Sequence, residues 1–354
     1  MELEYGTLPP PPEVLRSEML EERALDGGER WTRTRLDVAF VRSRPDASFS
    51  FEVTTWWPSP AVVEEKAGRA PGFGERGVPV VIRVGGGVPF FKILEEGYAL
   101  ASFDHRQVEP DEIGLPVLGP ARAACEEVWP GRHSWGSIGA WAWAAGRVVD
   151  HVVDLRGADP DRVVLTGHSR NGKAALLAGA LDERVALVNP NGSGCAGAGS
   201  FLALGDGCED LAALTARDRW WAWTTPGFAQ FAGREVDLPF DQHFLTALVA
   251  PRPLLRTEGF VDVWANPEGT CVNYLATQPV YDFLGARERN GIHFRDGGHG
   301  HWDADVDALV EFADWHLFGV PPTRRFDQLV YDASEFPKAF DWEAPALPAR
   351  DRTA

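Results

Sequence analysis

The stretch VVLTGHSRNGKAALLAGAL, residues 163–181, constrains the fold more than any other part of the chain. A short apolar run leads into a glycine-containing turn, and a run rich in alanine and leucine follows at once. The first run predicts a buried strand, and the second predicts a helix that packs against the sheet. A turn this short places Ser169 at the corner between strand and helix, with its hydroxyl exposed.

Two functions are compatible with this turn. Gly167, Gly172 and Lys173 have the spacing of a phosphate-binding loop, but such a loop needs Ser or Thr after the lysine to bind Mg²⁺, and here that residue is Ala174. A nucleophile elbow has the pattern G-x-S-x-G, and here the second glycine comes one residue late. Gly167 still permits a sharp turn, and the N–H groups that begin the helix can face a developing oxyanion. The sequence therefore favours a serine nucleophile, with a nucleotide-binding loop as the weaker alternative.

A serine nucleophile needs a base and an orienting acid, which follow it in the order Ser, Asp or Glu, His in α/β-hydrolases. Asp262 follows the stretch PRPLLRTEGF, and His299 follows GIHFRD and two glycines. Both come after predicted parallel strands, at the sheet edge where α/β proteins form their sites. We therefore predict Ser169, Asp262 and His299 as the catalytic residues. His301 is an alternative base.

Strand and helix patterns alternate along the chain. The stretches at 32–43 and 48–59 alternate in hydrophobicity and predict an antiparallel pair, and further β-branched runs predict buried strands. Residues 135–155 predict a long helix, and residues 304–319 predict a closing helix. We predict an α/β-hydrolase fold, in which a mostly parallel central sheet has helices on both faces.

The predicted domain organisation is simple. Residues 1–30 are polar, and we predict a lead-in with a short helix at 11–24. Residues 31–354 are predicted to form one domain, with a Trp-rich insertion around 200–245 that lies over one end of the sheet.

Charge and hydropathy argue against several functions. The chain has 52 acidic and 34 basic residues and a net charge of −18, which disfavours nucleic acid and anionic membranes as partners. No run of 18 apolar residues is present, and the first residues lack the apolar core of a signal peptide. We expect a cytoplasmic protein, with secretion only if the natural chain begins earlier. The four cysteines show no metal-ligand spacing, and a serine triad needs no cofactor, so we expect neither metal nor cofactor.

Three stretches together resemble a known family. TGHSRNGKAALLAGALDERVALVNPNGSG, LPFDQHFLTALVAPRPLL and DVWANPEG are similar to the glucuronoyl esterases of the fifteenth carbohydrate esterase family, especially its bacterial branch. The resemblance covers roughly residues 75–318 and includes the family's G-x-S-R-x-G-K elbow. It implies that Arg170 helps to form the oxyanion hole and that Lys173 binds the uronate sugar. Glu209 falls near a polar sugar-binding position of the family, although a solvated surface glutamate is an equal alternative.

The chain departs from the family pattern in two places. Many members have their catalytic glutamate at the position that Gly192 holds here, so the acid has to come from elsewhere, and Asp262 is the candidate. The residue before the serine is often a disulfide-bonded cysteine in the family, and here it is His168.

Tryptophan is the other candidate for substrate contact. Trp264 lies two residues after Asp262 and could stack on a sugar ring or pack in the core. Trp220, Trp221 and Trp223 could line the pocket or pack the insertion.

The predicted function is that of a serine-dependent carboxylic ester hydrolase, which acts through an acyl-enzyme on a uronate or another small carbohydrate ester. The same triad also supports acyl transfer, cyclisation or elimination, so a non-hydrolytic relative is the main alternative. The sequence leaves the oligomeric state open.

Overall fold

A nine-stranded β-sheet runs through the centre of the molecule. The computed structural model describes residues 1–86, 91–114 and 118–333. The strands are Val14–Ala24 (β1), Arg30–Ala39 (β2), Ser48–Trp57 (β3), Val78–Val84 (β4), Ala99–Phe103 (β5), Ala158–His168 (β6), Val185–Asn191 (β7), Leu254–Gly259 (β8) and Asn290–Arg295 (β9). Their order is β1-β2-β3-β5-β4-β6-β7-β8-β9. The first three strands and the β3–β5 pair are antiparallel, and the pairs from β5 to β9 are parallel.

Helices cover both faces of this sheet. Those in the described residues are Glu2–Tyr5 (α1), Pro60–Ala67 (α2), Phe91–Glu95 (α3), Pro120–Val128 (α4), Ser137–Val153 (α5), Arg170–Leu181 (α6), Leu211–Thr215 (α7), His243–Ala247 (α8), Pro267–Phe283 (α9) and Asp303–Phe318 (α10). The last helix ends where Gly319 adopts a left-handed conformation, as glycine allows. Among the described residues, none of these helices combines the length and apolarity that a bilayer crossing requires.

Alternation along the central strands divides the core in two. On β6, Val163 and Leu165 face the cluster that contains α5 and α6, and Val164 faces the cluster that contains α3 and α10. Successive side chains of a strand point to opposite faces, so a strand that is apolar throughout has to be covered on both sides. The predicted α/β-hydrolase architecture is confirmed, as are the antiparallel pair β2–β3 and the long helix α5. The segment 200–245 contains no strand.

The predicted helix at 11–24 is wrong, because these residues form β1. Glutamate, leucine and arginine favour helices in isolation, but here the strand pairs with β2, and Glu18 and Glu21 lie opposite Arg35 and Arg33. The ion-pair distances are 2.6 and 3.4 Å. Since β1 is a largely exposed edge strand, it has no buried residues that would show a strand period in the sequence.

The predicted domain boundary at residue 30 is also wrong. It falls at the start of β2, in the β1–β2 hairpin, so residues 14–24 of the predicted lead-in are a strand of the sheet. Residues 334–354, which the prediction assigns to the domain, lie outside the described residues.

Helix α6 lies unusually close to the sheet. A Cβ on Gly179 would come within 2.3 Å of Val188 Cγ2 on β7, whereas a Cβ on Gly146 in α5 would meet nothing closer than 3.8 Å. A residue larger than glycine at position 179 therefore has to displace either α6 or β7.

We expect Gly179→Ala to lower the free energy of unfolding by about 1–3 kcal/mol, the usual cost of overpacking a core. Alanine ordinarily favours a helix over glycine by about 1 kcal/mol, so Gly146→Ala, the matched control, should be neutral or stabilising. Urea and thermal unfolding followed by circular dichroism would compare the two variants. A Gly179→Ala protein as stable as the control would contradict this close packing.

Candidate active site

The turn between β6 and α6 is a single residue, Ser169, in a strained conformation. Its φ is 56° and its ψ is −126°, a region that residues other than glycine rarely occupy and that recurs at functional sites. The Ser169 N–H donates to the Asn191 carbonyl oxygen at 2.9 Å, which ties the turn to the end of β7. A Cβ on Gly167 would lie 2.2 Å from the Asn171 carbonyl oxygen, so only glycine fits there. The backbone thus has the sharp geometry that a nucleophile elbow needs.

Ser169, His299 and Asp262 form a continuous chain of hydrogen bonds. His299 Nε2 lies 2.9 Å from Ser169 Oγ, and His299 Nδ1 lies 2.7 Å from Asp262 Oδ2. The carboxylate can only accept, so Nδ1 carries a proton and Nε2 can take the serine proton. His299 is partly exposed and Asp262 is buried, which leaves the base open to substrate and the acid shielded from water. This geometry can support nucleophilic attack by Ser169.

Burial shifts the pKa values of His301 and Glu258, two ionisable groups near the triad, in opposite directions. His301, the alternative base, is half-buried, and desolvation lowers its pKa well below the usual value. Glu258 is also fully buried, and burial together with the nearby Asp262 carboxylate raises its pKa well above the usual value. Burial therefore favours the uncharged form of both side chains. The imidazole that reaches Ser169 belongs to His299.

Gly192 lies beside the predicted acid. A Cβ on Gly192 would come within 3.3 Å of Asp262 Oδ2 and within 3.5 Å of His168 Cε1. A side chain at position 192, just after β7, and one at position 262, in the loop after β8, would thus converge on the same volume. This proximity gives a physical reason why Asp262 can supply the acid in a chain that has glycine at 192.

His168 forms a wall behind the base. Its ring centroid lies 4.5 Å from that of His299, and its Nδ1–H donates to Asn191 Oδ1 at 2.7 Å. Burial, with the His299 imidazole beside it, lowers the pKa of His168 to about 4. A neutral ring here adds no positive charge next to a base that must itself become cationic during catalysis. Sequence reasoning missed this contact because nothing local links His168 to the loop after β9.

Arg170 is held by an acid that sequence reasoning also missed. Its guanidinium donates to Asp111 Oδ2 at 2.7 Å and lies over the rings of Trp220 and Trp223, at 4.5 and 4.8 Å from their centroids. The other oxygen of Asp111 accepts from Trp223 Nε1 at 3.1 Å. Burial opposes ionisation of Asp111, but hydrogen bonds from His105 and Arg170 outweigh it and lower the pKa of this carboxyl. Asp111 therefore supplies a fixed negative charge, and no local motif marks it in the sequence.

Lys173 and Glu209 form a buried ion pair. The Lys173 ammonium donates to Glu209 Oε2 at 3.0 Å, to the Ser193 carbonyl oxygen at 2.9 Å and to the Cys195 carbonyl oxygen. An ammonium has three N–H donors, and all three are used. Lys173 is thus not free to bind a phosphate, which removes the main support for a nucleotide-binding loop. Direct substrate binding by Lys173 stays a prediction.

A cavity of about 180 Å³ lies above Ser169. It is lined by the side chains predicted for the site, apart from Asp262, and by residues of the β7 loop and the Trp-rich segment: Ser169, Arg170, Lys173, Gly192, Ser193, Gly194, Glu209, Arg219, Trp220, Trp223, Trp264, Ala265 and His299. Trp221 is not among them and instead packs against the Arg217 guanidinium, 4.2 Å from its ring centroid. A larger hollow of about 520 Å³ between α9 and the chain after α10 contains none of these residues.

Comparison with known proteins identifies relatives of this chain. A family model described as "Glucuronyl esterase, fungi" matches residues 57–285, a span that contains Ser169 and Asp262 and ends before His299. The chain is 32% identical to the carbohydrate esterase MZ0003 of an unknown prokaryotic organism over 64% of its length, and 29% identical to a 4-O-methyl-glucuronoyl methylesterase of Hypocrea jecorina over 85%. These matches span 56% and 62% of the two relatives, so the chain corresponds to little more than half of each.

Of these four matches, the one to a solved structure covers the largest share of the chain. That structure is a carbohydrate esterase family 15 glucuronoyl esterase from Caldicellulosiruptor kristjansonii, with a TM-score of 0.76 and 31% identity. The match covers 97% of this chain and 88% of that one.

The carboxyl groups of Asp262 and Glu258 should differ sharply in their importance for catalysis. We expect Asp262→Asn to lower kcat for an activated acetyl ester on the order of 10²- to 10⁴-fold, because the amide cannot hold the Nδ1–H tautomer or stabilise an imidazolium. Glu258→Gln is the matched control, since this buried carboxyl is already neutral and glutamine has its shape. Similar losses in the two variants would show that Asp262 is not the orienting acid.

Asp111 should act through Arg170. We expect Asp111→Asn to lower kcat about tenfold with a small change in KM, because a loosened guanidinium stabilises the oxyanion less well. Asp104→Asn is the control, since Asp104 forms a comparable pair with Arg106 at 2.7 Å outside the cavity. Steady-state kinetics with an activated acetyl ester separates the two parameters. A loss confined to KM would contradict a role in the transition state.

Proposed function

The chain belongs to the glucuronoyl esterase family, and from that premise we propose that it is a serine-dependent hydrolase that cleaves uronic acid esters through an acyl-enzyme. The hydrogen-bonded chain from Ser169 through His299 to Asp262, at the base of a cavity of about 180 Å³, is the observation that carries this proposal. The methyl ester of 4-O-methyl-glucuronate is the substrate that the name of the Hypocrea jecorina relative suggests.

Catalysis begins when Ser169 Oγ attacks the ester carbonyl carbon and His299 Nε2 takes its proton. Asp262 stabilises the imidazolium, and the backbone N–H groups at the start of α6, with Arg170, stabilise the oxyanion. His299 then gives its proton to the departing alcohol, which leaves the uronoyl group on Ser169. Water, activated by the same histidine, releases the free uronic acid and restores the serine.

Glu209 and Trp264 are the candidates for sugar recognition. Of the two carboxylate oxygens of Glu209, Oε2 is bonded to Lys173, which leaves Oε1 to accept from a sugar hydroxyl. Lys173 then acts by fixing Glu209 rather than by gripping the sugar with a free ammonium. Trp264 is 38% exposed, enough to contact a sugar bound in the cavity.

The test is hydrolysis of the methyl ester of 4-O-methyl-glucuronate, followed by release of methanol and of free uronic acid. We expect the protein to release both, and Ser169→Ala to lose activity on the order of 10⁴-fold or more while it keeps its circular dichroism spectrum. An acyl-transfer enzyme would release methanol without an equal amount of free acid. Unchanged hydrolysis in Ser169→Ala would rule out the serine mechanism.

A second variant, Glu209→Gln, distinguishes recognition of the sugar from cleavage of the ester in the same experiment. Glu209→Gln should lower kcat/KM for the uronate ester about tenfold, or about 1.4 kcal/mol, and change hydrolysis of 4-nitrophenyl acetate much less. If the protein cleaves the acetyl ester but no uronate ester, the serine mechanism stands and the substrate class is wrong.

A further inference from the structure

Among the described residues that line the cavity, Arg219 is a cation without an ion-pair partner. Arg170 is paired with Asp111, and Lys173 is paired with Glu209. Within the described residues no carboxylate lies within ion-pair distance of Arg219, which also lines the cavity. The wall of the cavity therefore carries an unbalanced guanidinium, in a chain whose net charge is −18. An unpaired cation at this place is a candidate for contact with a substrate.

Arg219 is held in place by its surroundings. Its guanidinium lies over the Trp264 ring, 4.8 Å from the ring centroid. Its backbone N–H donates to the Ala216 carbonyl oxygen at 3.0 Å, and its own carbonyl oxygen accepts from the Gly114 N–H at 3.1 Å. A guanidinium that stacks on an aromatic ring still has N–H groups at its edge, and these can bind a carboxylate.

The ester substrate itself does not provide the missing negative charge. The uronate carboxyl is esterified and therefore neutral, and the charge that develops on it during attack lies at Ser169, beside Arg170. The product carboxylate forms at the same place. A counter-ion for Arg219 has to be a different acidic group of the substrate.

We propose that Arg219 and Trp264 form an anion subsite, which selects uronate esters that carry a second, free carboxylate. This carboxylate lies on a neighbouring sugar residue or on the alcohol, and in both cases it binds the Arg219 guanidinium through charge-assisted hydrogen bonds. The inference rests on the proposed esterase function and narrows its substrate class. The subsite is half-buried, so we expect a preference of about tenfold that weakens as salt is added.

The experiment uses two matched pairs of substrates. The benzyl and 4-carboxybenzyl esters of glucuronate differ only in a carboxylate on the alcohol. The methyl monoesters of a uronate–xylose and of a uronate–uronate disaccharide differ in a carboxylate on the neighbouring sugar. For each pair we measure the ratio of kcat/KM for the charged to the neutral ester, and the pair with the raised ratio identifies the position of the carboxylate. Ratios near one for both pairs in the unaltered protein would overturn the proposal.

Three variants assign the preference to Arg219. Arg219→Gln should bring the raised ratio close to one. Arg219→Lys should retain part of it, because lysine keeps the charge but lacks the planar set of N–H donors with which a guanidinium binds both oxygens of a carboxylate. Arg217→Gln is the control, since Arg217 is a nearby exposed cation that stacks on Trp221 outside the cavity. An equal fall for charged and neutral esters in Arg219→Gln, or a fall in the ratio in Arg217→Gln, would contradict the subsite.

Binding to Ser169→Ala keeps this test separate from the esterase proposal. Calorimetry with the same four esters measures affinity without turnover. We expect this protein to bind the uronate–uronate monoester or the 4-carboxybenzyl ester about tenfold more tightly than its neutral counterpart, a difference of about 1.4 kcal/mol. If no uronate ester is hydrolysed but this difference appears and disappears with Arg219→Gln, the esterase proposal fails and the subsite stands. No difference in either pair overturns the subsite.

Discussion

The backbone of one residue, Ser169, determines where everything else in the site has to be. Its positive φ lets the chain reverse from β6 into α6 through this one residue, which points the hydroxyl away from the sheet. This turn is possible because the residues around it are small. A Cβ on Gly167 or Gly172 would collide with backbone atoms of the turn and of β7. In the common elbow pattern the second glycine comes two residues after the serine. Here it is Gly172, which comes one residue later, in the first turn of α6, and serves the same steric purpose.

Apart from Arg219, the charged side chains at the cavity are held by hydrogen-bonded partners. Asp111 fixes Arg170, Glu209 is bonded to Lys173, and Asp262 orients His299, so these three side chains are already oriented before the substrate binds. Groups that are held this way need little reorganisation when charge develops at the ester carbonyl. The buried neutral side chains His168 and Glu258 complete the arrangement, because they add no competing charge beside the base and the acid.

The sequence predicts those parts of the molecule that depend on local patterns. Ser169, Asp262 and His299 were recognisable because each follows a predicted strand and because their order along the chain fits the fold. The strand β1 was not recognisable, since the pattern that makes it a strand consists of charges paired across to β2 rather than buried apolar residues. Asp111 and His168 were missed for a related reason. Their partners lie far away along the chain, and only the folded sheet brings them together.

His299, the predicted base, lies after β9, and the family model that matches the chain ends before it. Recognition of the family and possession of the catalytic base therefore depend on different parts of the gene. A reading-frame error or an early stop codon after α9 would leave a product that still carries the elbow, the acid and the family signature, yet has no general base. A genome survey that counts active esterases by family match would count such products as well. The survey needs the histidine after β9 as a separate criterion.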